Sequence, residues 1–181
     1  MTNWDGVLSA VDITSTVRSS TTLSPAVTRL DLSDGRAIVV KVGPATVIDA
    51  EADSLAAIEE IGRVPTPRVW GVVCGVEQRT LVTDWVGGGV PDESQWRSFG
   101  AALAAHHLAS STPEYGWHQN NFIGASAQSN HWCDNWVSFN RDHRFRPQFE
   151  AAASRELLTA SQGSVIEESV SYTHLRAHAT L

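Results

Sequence analysis

The chain has 181 residues, 42% of them apolar and 18% charged, and a formal net charge of −7. That is length enough for a domain burying roughly 70% of its unfolded surface, and the acidic balance argues against nucleic acid or an anionic membrane, which call for a basic face. No apolar run approaches a membrane span, and the opening MTNWDGVLSAVD has neither the basic start nor the long apolar stretch of a signal peptide. Cys74 and Cys133 show no metal-site spacing and fit a reducing cytoplasm; Cys74, inside an apolar run, reads as a buried thiol. The adjacent His106 and His107 would point to different sides of a helix, unlike an i, i+4 metal pair.

In chain order, Ile13–Pro25 reads as a loop rich in serine and threonine. Ala26–Ser33 alternates apolar and polar residues and predicts a half-exposed strand. Asp34-Gly35 is a hairpin signal, and the β-branched run Arg36–Val42 is the return strand, ended by Gly43-Pro44. Val47–Ile61 predicts a helix with Ile48, Ala52, Leu55 and Ile58 on its apolar stripe and Gly62 as its stop. Pro65 and Pro67 make an extended link. Val69–Val76 and Arg79–Val86 predict two further strands, with a turn at Glu77-Gln78. After Gly87-Gly88-Gly89, a helix is expected from about Glu93 to Leu108, with Trp96, Phe99, Leu103 and His107 along one side. The spacing therefore predicts an α+β protein: a β-rich unit over residues 1–86 and a helical unit from residue 87.

The chain uses twelve arginines but a single lysine, Lys41. It lies within an apolar strand, on the side shared by Ala37 and Val39. An ammonium there is costly to desolvate unless paired, and Glu51 on the next helix is the available partner. A strand lysine paired with a glutamate of the following helix is the device that holds nucleotide phosphates in kinase-like folds. The alternative is a lysine that snorkels to solvent while Glu51 stays hydrated.

Tyr115–Phe149, YGWHQNNFIGASAQSNHWCDNWVSFNRDHRFRPQF, mixes amides with large flat rings. Such a mixture suits a polar ligand with one flat face, the rings packing and the amides orienting. It serves equally well to pack a junction and tie down a loop. Within it, Arg141–Arg146 reads as a solvated helix face. The order of residues resembles the signature of the fructosamine/ketosamine kinases. Tyr115-Gly116-Trp117, Asn121-Phe122-Ile123-Gly124, Gln128, Asn130, Trp132, Asp134, Trp136-Val137, Phe139 and Arg146-Pro147-Gln148 fall in register with it.

The resemblance, over roughly residues 26–160, implies a protein-kinase-like two-lobed fold. Residues 1–86 would be the nucleotide-binding lobe, and residues 87–169 the hinge and the start of a helical lobe. It implies transfer of the ATP γ-phosphate, with Mg²⁺, to the hydroxyl of a ketosamine on a glycated lysine or small amine. Lys41 and Glu51 would hold phosphates; main-chain groups of Asp84, Trp85 and Val86 would meet the adenine. Asn121, Gln128 and Asn130, with Trp132 or Trp117 as a stacking wall, would contact the acceptor. The sequence departs from the kinase pattern in having no glycine in Ile13–Pro25, where Ser19, Ser20, Thr21 and Thr22 stand in the place of a phosphate-covering loop. The family's H-G-D-L-W-x-G-N loop and later metal-binding Asp motif do not occur in it, so no catalytic residue and no Mg²⁺ ligand are assigned. Val170–Leu181, VSYTHLRAHATL, looks like a translated sequencing adapter joined where the family continues with a helix. The expectation is a C-terminally truncated kinase, inactive alone. The alternatives are an aminoglycoside- or choline-type phosphotransferase of the same fold, and a non-catalytic fragment that binds a nucleotide or a partner.

Overall fold

The computed structural model describes residues 4–159, 161–165 and 168. The expected tail Val170–Leu181 therefore lies outside the described residues. The chain divides into two compact units, one ending at Ser111 and the other beginning at Thr112.

The first unit is built on a five-stranded antiparallel sheet in the order β1-β2-β3-β5-β4. Its strands are β1 (Val17–Ser24), β2 (Val27–Leu32), β3 (Ala37–Pro44), β4 (Val69–Cys74) and β5 (Gln78–Asp84). Alternation decides what each face buries. Leu30, Leu32, Ile38, Val40 and Val82 turn to one face and form the core with Leu8, Val11 and Ile13. Leu8 belongs to a short helix, α1 (Asp5–Ala10), which supplies the cover that this face requires. The opposite face carries Val39 and Lys41 and receives α2 (Ala45–Ile61), which follows β3 without a linker. Gly62 stops α2 at φ +64°, a left-handed conformation that suits glycine. α3 (Glu93–Ala109) opens on a capping box, with the Asp92 carboxylate accepting from Gln95 N–H at 2.9 Å and the Gln95 amide oxygen accepting from Asp92 N–H at 2.8 Å.

Several sequence expectations change. The serine- and threonine-rich stretch is not a loop: residues 17–24 form the edge strand β1, and the turn is at Pro25-Ala26. An edge strand is held by backbone pairing with one neighbour, so seven of its eight side chains can be exposed and no apolar alternation is needed. Cys74 is exposed rather than buried, because it ends β4 at the sheet margin. On α2 the fully buried positions are Ile48 and Ala50, while Ala52, Leu55 and Ile58 are half-buried. No residue of α3 is buried, and Trp96 and Phe99 remain 59% and 46% exposed.

The second unit contains a short hairpin, β6 (Asn121–Ile123) with β7 (Ser126–Gln128), then α4 (Trp136–Asn140), one π-helical turn (Arg141–Phe145) and α5 (Arg146–Ser154). Asn135 caps α4 through its side-chain oxygen, which accepts from Ser138 N–H at 2.9 Å.

Candidate functional site

In the first unit, Lys41 and Glu51 form an ion pair between β3 and α2. Their side chains are 33% and 36% exposed, so the pair is reachable from solvent. A second ion pair ties α2 down: Asp49, two residues before Glu51, meets Arg79 of β5. The contact with Asp49 holds the Arg79 guanidinium firmly protonated. Asp49 and Glu51 flank the buried Ala50, and nothing in the sequence pattern singles out Arg79 as the partner of Asp49. With Pro44 joining β3 directly to α2, the helix is fixed by a short connection and two charges.

The chain leaves β5 along residues 84–86. Asp84 N–H donates to the Arg68 carbonyl at 2.9 Å and Trp85 N–H to the Ala37 carbonyl at 3.0 Å. Both amides are thus occupied by neighbouring main chain. Val86 is 64% exposed, and its amide has no protein partner among the described residues. The Asp84 carboxylate accepts from Trp70 Nε1–H at 2.7 Å. The Trp70 ring lies against two guanidinium groups, 3.9 Å from Arg68 and 4.7 Å from Arg36. This cluster buttresses the strand end just where its backbone becomes available.

In the second unit, Tyr115 and Cys133 exchange two backbone hydrogen bonds of 2.8 Å, closing the first part of the amide-rich block into a loop. Gly116 lies so close to Trp132 that a Cβ on it would fall 2.9 Å from the Trp132 Cα and ring. One side of the indole is thereby backed by main chain, and the residue remains 50% exposed. Asn121 and Gln128 are direct cross-strand partners in the hairpin, both half-buried. The Asn121 Oδ1 is buried without a protein hydrogen bond among the described residues.

Asn130 is placed differently, at 1% exposure. Its Nδ2 donates to the Gln119 carbonyl at 2.9 Å, and its Oδ1 accepts from Arg144. Its backbone N–H donates to Asn120 Oδ1, and its carbonyl accepts from Trp117 N–H, both at 3.0 Å. Arg144 was expected on a solvated face. Instead it is half-buried, donates to the Ser129 carbonyl at 2.7 Å and lies 4.4 Å over the Phe139 ring. Burial pushes its pKa below the usual arginine range. Nothing in the run Arg141–Arg146 sets this arginine apart from its neighbours in the sequence. Among the described residues, no group of three or more His, Cys, Asp or Glu side chains could hold a metal ion, and no helix is long and apolar enough to cross a membrane.

Comparison with known proteins gives a consistent picture. The profile of the family described as fructosamine kinase matches residues 29–179. A protein of Synechocystis sp. described as a "probable ketoamine kinase" is 36% identical over 103 residues, which is 57% of this chain and 34% of that protein. One of Escherichia coli K12, described in the same words, is 27% identical over 118 residues, 65% of this chain and 41% of its own length. The chain therefore spans well under half the length of these relatives. Among solved structures, a "putative fructosamine-3-kinase" of Thermobifida fusca has a TM-score of 0.74 at 26% identity, over 90% of this chain and 58% of that one. Another, from Haemophilus somnus, has a TM-score of 0.75 at 19% identity, over 88% of this chain and 56% of its own. These likenesses establish for this chain the protein-kinase-like α+β fold.

Proposed function

We propose that this chain, which belongs to the fructosamine kinase family, binds ATP on its sheet and forms part of a kinase that phosphorylates ketosamines. The observation that carries the reading is the Lys41–Glu51 pair, the chain's single lysine held by a carboxylate on the face that receives α2. A carboxylate that orients an ammonium without burying it leaves that ammonium's other protons for phosphate oxygens. The pair thus fits a nucleoside triphosphate, and the residues of this chain bind and orient it. Lys41 would contact the α- and β-phosphates, with Glu51 and the Asp49–Arg79 tie fixing its direction. The adenine would meet the Val86 N–H and the carbonyls of the Asp84–Val86 segment, since the Asp84 and Trp85 amides are occupied. Bound ATP would supply the γ-phosphoryl group. For Mg²⁺, no ligand set is assigned, because the described residues offer no suitable cluster.

For the acceptor, Trp132 offers a supported, half-exposed ring, and Asn121 and Gln128, paired across the hairpin, offer amides. A sugar-derived ketosamine, with one apolar face and a rim of hydroxyls, fits that combination. Asn130 belongs to the same block, where its part is to hold the loop so that Trp117 and Trp132 keep their places. A ketosamine on a lysine or small amine is the family's acceptor, and the Tyr115–Gln148 signature favours it over an aminoglycoside or choline.

The test is titration of the protein with ATP by calorimetry. Lys41→Met removes one charge-assisted phosphate contact and is expected to weaken binding roughly tenfold or more. Equal ATP affinity in Lys41→Met and the unaltered protein would overturn the nucleotide assignment.

A further inference from the structure

The face of the sheet that carries Lys41 also carries an arginine that the kinase reading does not use. Arg29 of β2 stands opposite Val39 of β3, and Val39 stands opposite Thr83 of β5. Lys41 lies two residues beyond Val39 on the same face, roughly 6.6 Å along the strand. Trp85 lies two residues beyond Thr83 in the other direction. Arg29 therefore occupies the stretch of sheet between the phosphate-binding ammonium and the strand end at residues 84–86.

Its guanidinium is fixed in its plane. Nε and Nη2 donate to Asp31 Oδ1 at 3.0 and 2.7 Å, and the other carboxylate oxygen, Oδ2, accepts from Ser19 Oγ at 2.8 Å. That fork fixes the plane of the group and leaves its Nη1 edge and its two flat faces as contact surfaces. The guanidinium lies over the Trp85 ring, with Arg29 Cζ 4.9 Å from its centroid. The side chain is 35% exposed, so a ligand can reach it.

We propose that Arg29 is a base-stacking residue: the heteroaromatic base of a nucleoside triphosphate whose phosphates lie at Lys41 packs on the Arg29 guanidinium, extending the Trp85–Arg29 stack. This rests on the nucleotide reading above. It explains why a planar cation, rather than the aliphatic side chain that would suit a plain hydrophobic roof, occupies the middle of that face. It also explains the Ser19–Asp31 tie, which orients the plane and would be superfluous for a solvated charge. Because every base has a π-face, the contact adds affinity for the base and little discrimination among bases.

The experiment compares ATP with inorganic tripolyphosphate, which has the charges and no base, on the unaltered protein and on Arg29→Lys, Arg29→Gln and Lys41→Met. Arg29→Lys keeps the charge and can still reach Asp31 but loses the plane. It is expected to weaken ATP binding roughly two- to thirty-fold, the range of a cation–π contact, while leaving tripolyphosphate unchanged. Arg29→Gln, which also loses the charge, weakens ATP at least as much. Equal loss for both ligands would make Arg29 a phosphate contact, and no loss for either would leave it a tie for Asp31; each result overturns the proposal. Lys41→Met must weaken both ligands. If it weakens neither, or if the unaltered protein binds neither, the nucleotide reading itself fails and the stacking role falls with it. Thermal melting of each variant separates loss of binding from loss of fold.

Discussion

Replacing Asn130 with alanine is expected to unravel the amide-rich block while leaving the sheet intact. The substitution removes two side-chain hydrogen bonds at a position 1% exposed. The carbonyl of the half-buried Gln119 loses its donor, which costs toward the lower end of the about 1–3 kcal/mol of an orphaned buried acceptor. Arg144 loses its amide acceptor, and a hydrogen bond to a charged group contributes about 1.5–3 kcal/mol. Arg144 still reaches the Ser129 carbonyl and is only half-buried, which places its share at the lower end. Together the loss is about 2–4 kcal/mol, a large fraction of what a small domain possesses. The backbone bonds from Asn130 to Asn120 and from Trp117 to Asn130 do not need the side chain, but both depend on the loop path that it fixes. Hydrogen exchange is the discriminating assay. Amides around residues 115–133 should lose protection in Asn130→Ala, while those of β2, β3 and β5 keep theirs. Unchanged protection together with weaker binding of a ketosamine such as fructoselysine would refute the scaffold argument and make Asn130 an acceptor contact.

Gly116→Ala tests the support behind Trp132. A Cβ 2.9 Å from the Trp132 Cα and ring forces a shift costing about 1–3 kcal/mol, expected as a lower melting temperature and a change in tryptophan fluorescence. For pH, Asp34 accepts hydrogen bonds from Arg36 and Ser15, which hold its carboxyl well below the ordinary carboxylate range. Its folded-state pKa is depressed, so its contribution is fully present above about pH 4 and is lost as pH falls through the folded value. Urea midpoints measured from pH 5 to pH 2 should fall less steeply in Asp34→Asn than in the unaltered protein; parallel curves would contradict the assignment.

Period and punctuation carried most of the first unit. The β-branched run before Lys41, the Asp34-Gly35 turn and the Gly62 stop each have one local solution, and the structure adopts it. β1 was invisible because an edge strand buries almost nothing, so its exposed serines and threonines leave no alternation to read. α1 has only six residues, too few for a helical period. Its existence follows from a tertiary need, since Leu30, Ile38 and Val40 require a cover. Cys74 misled because an apolar neighbourhood in sequence predicts burial only when the strand is central and both its faces are packed.

The legible part of the site was the part made by charge. A lone lysine in an apolar strand is costly to bury unpaired, and Glu51 on the next helix supplies its carboxylate while Asp49 is committed to Arg79. The amides were harder to place, because an amide that binds a ligand and one that ties a loop have the same donors and acceptors. The coordinates show which of those atoms protein groups already engage. Asn130 has its side-chain oxygen and its amide nitrogen engaged by protein, whereas the Asn121 oxygen has no protein partner among the described residues. The same distinction applies to the arginines. Arg144, in a basic run, turns inward to fix the loop, while Arg29, in an ordinary-looking strand, is tied to Asp31 with its guanidinium over the Trp85 ring. An arginine's in-plane partners show whether its charge is already committed, and its uncovered face shows where a ligand can still add binding energy.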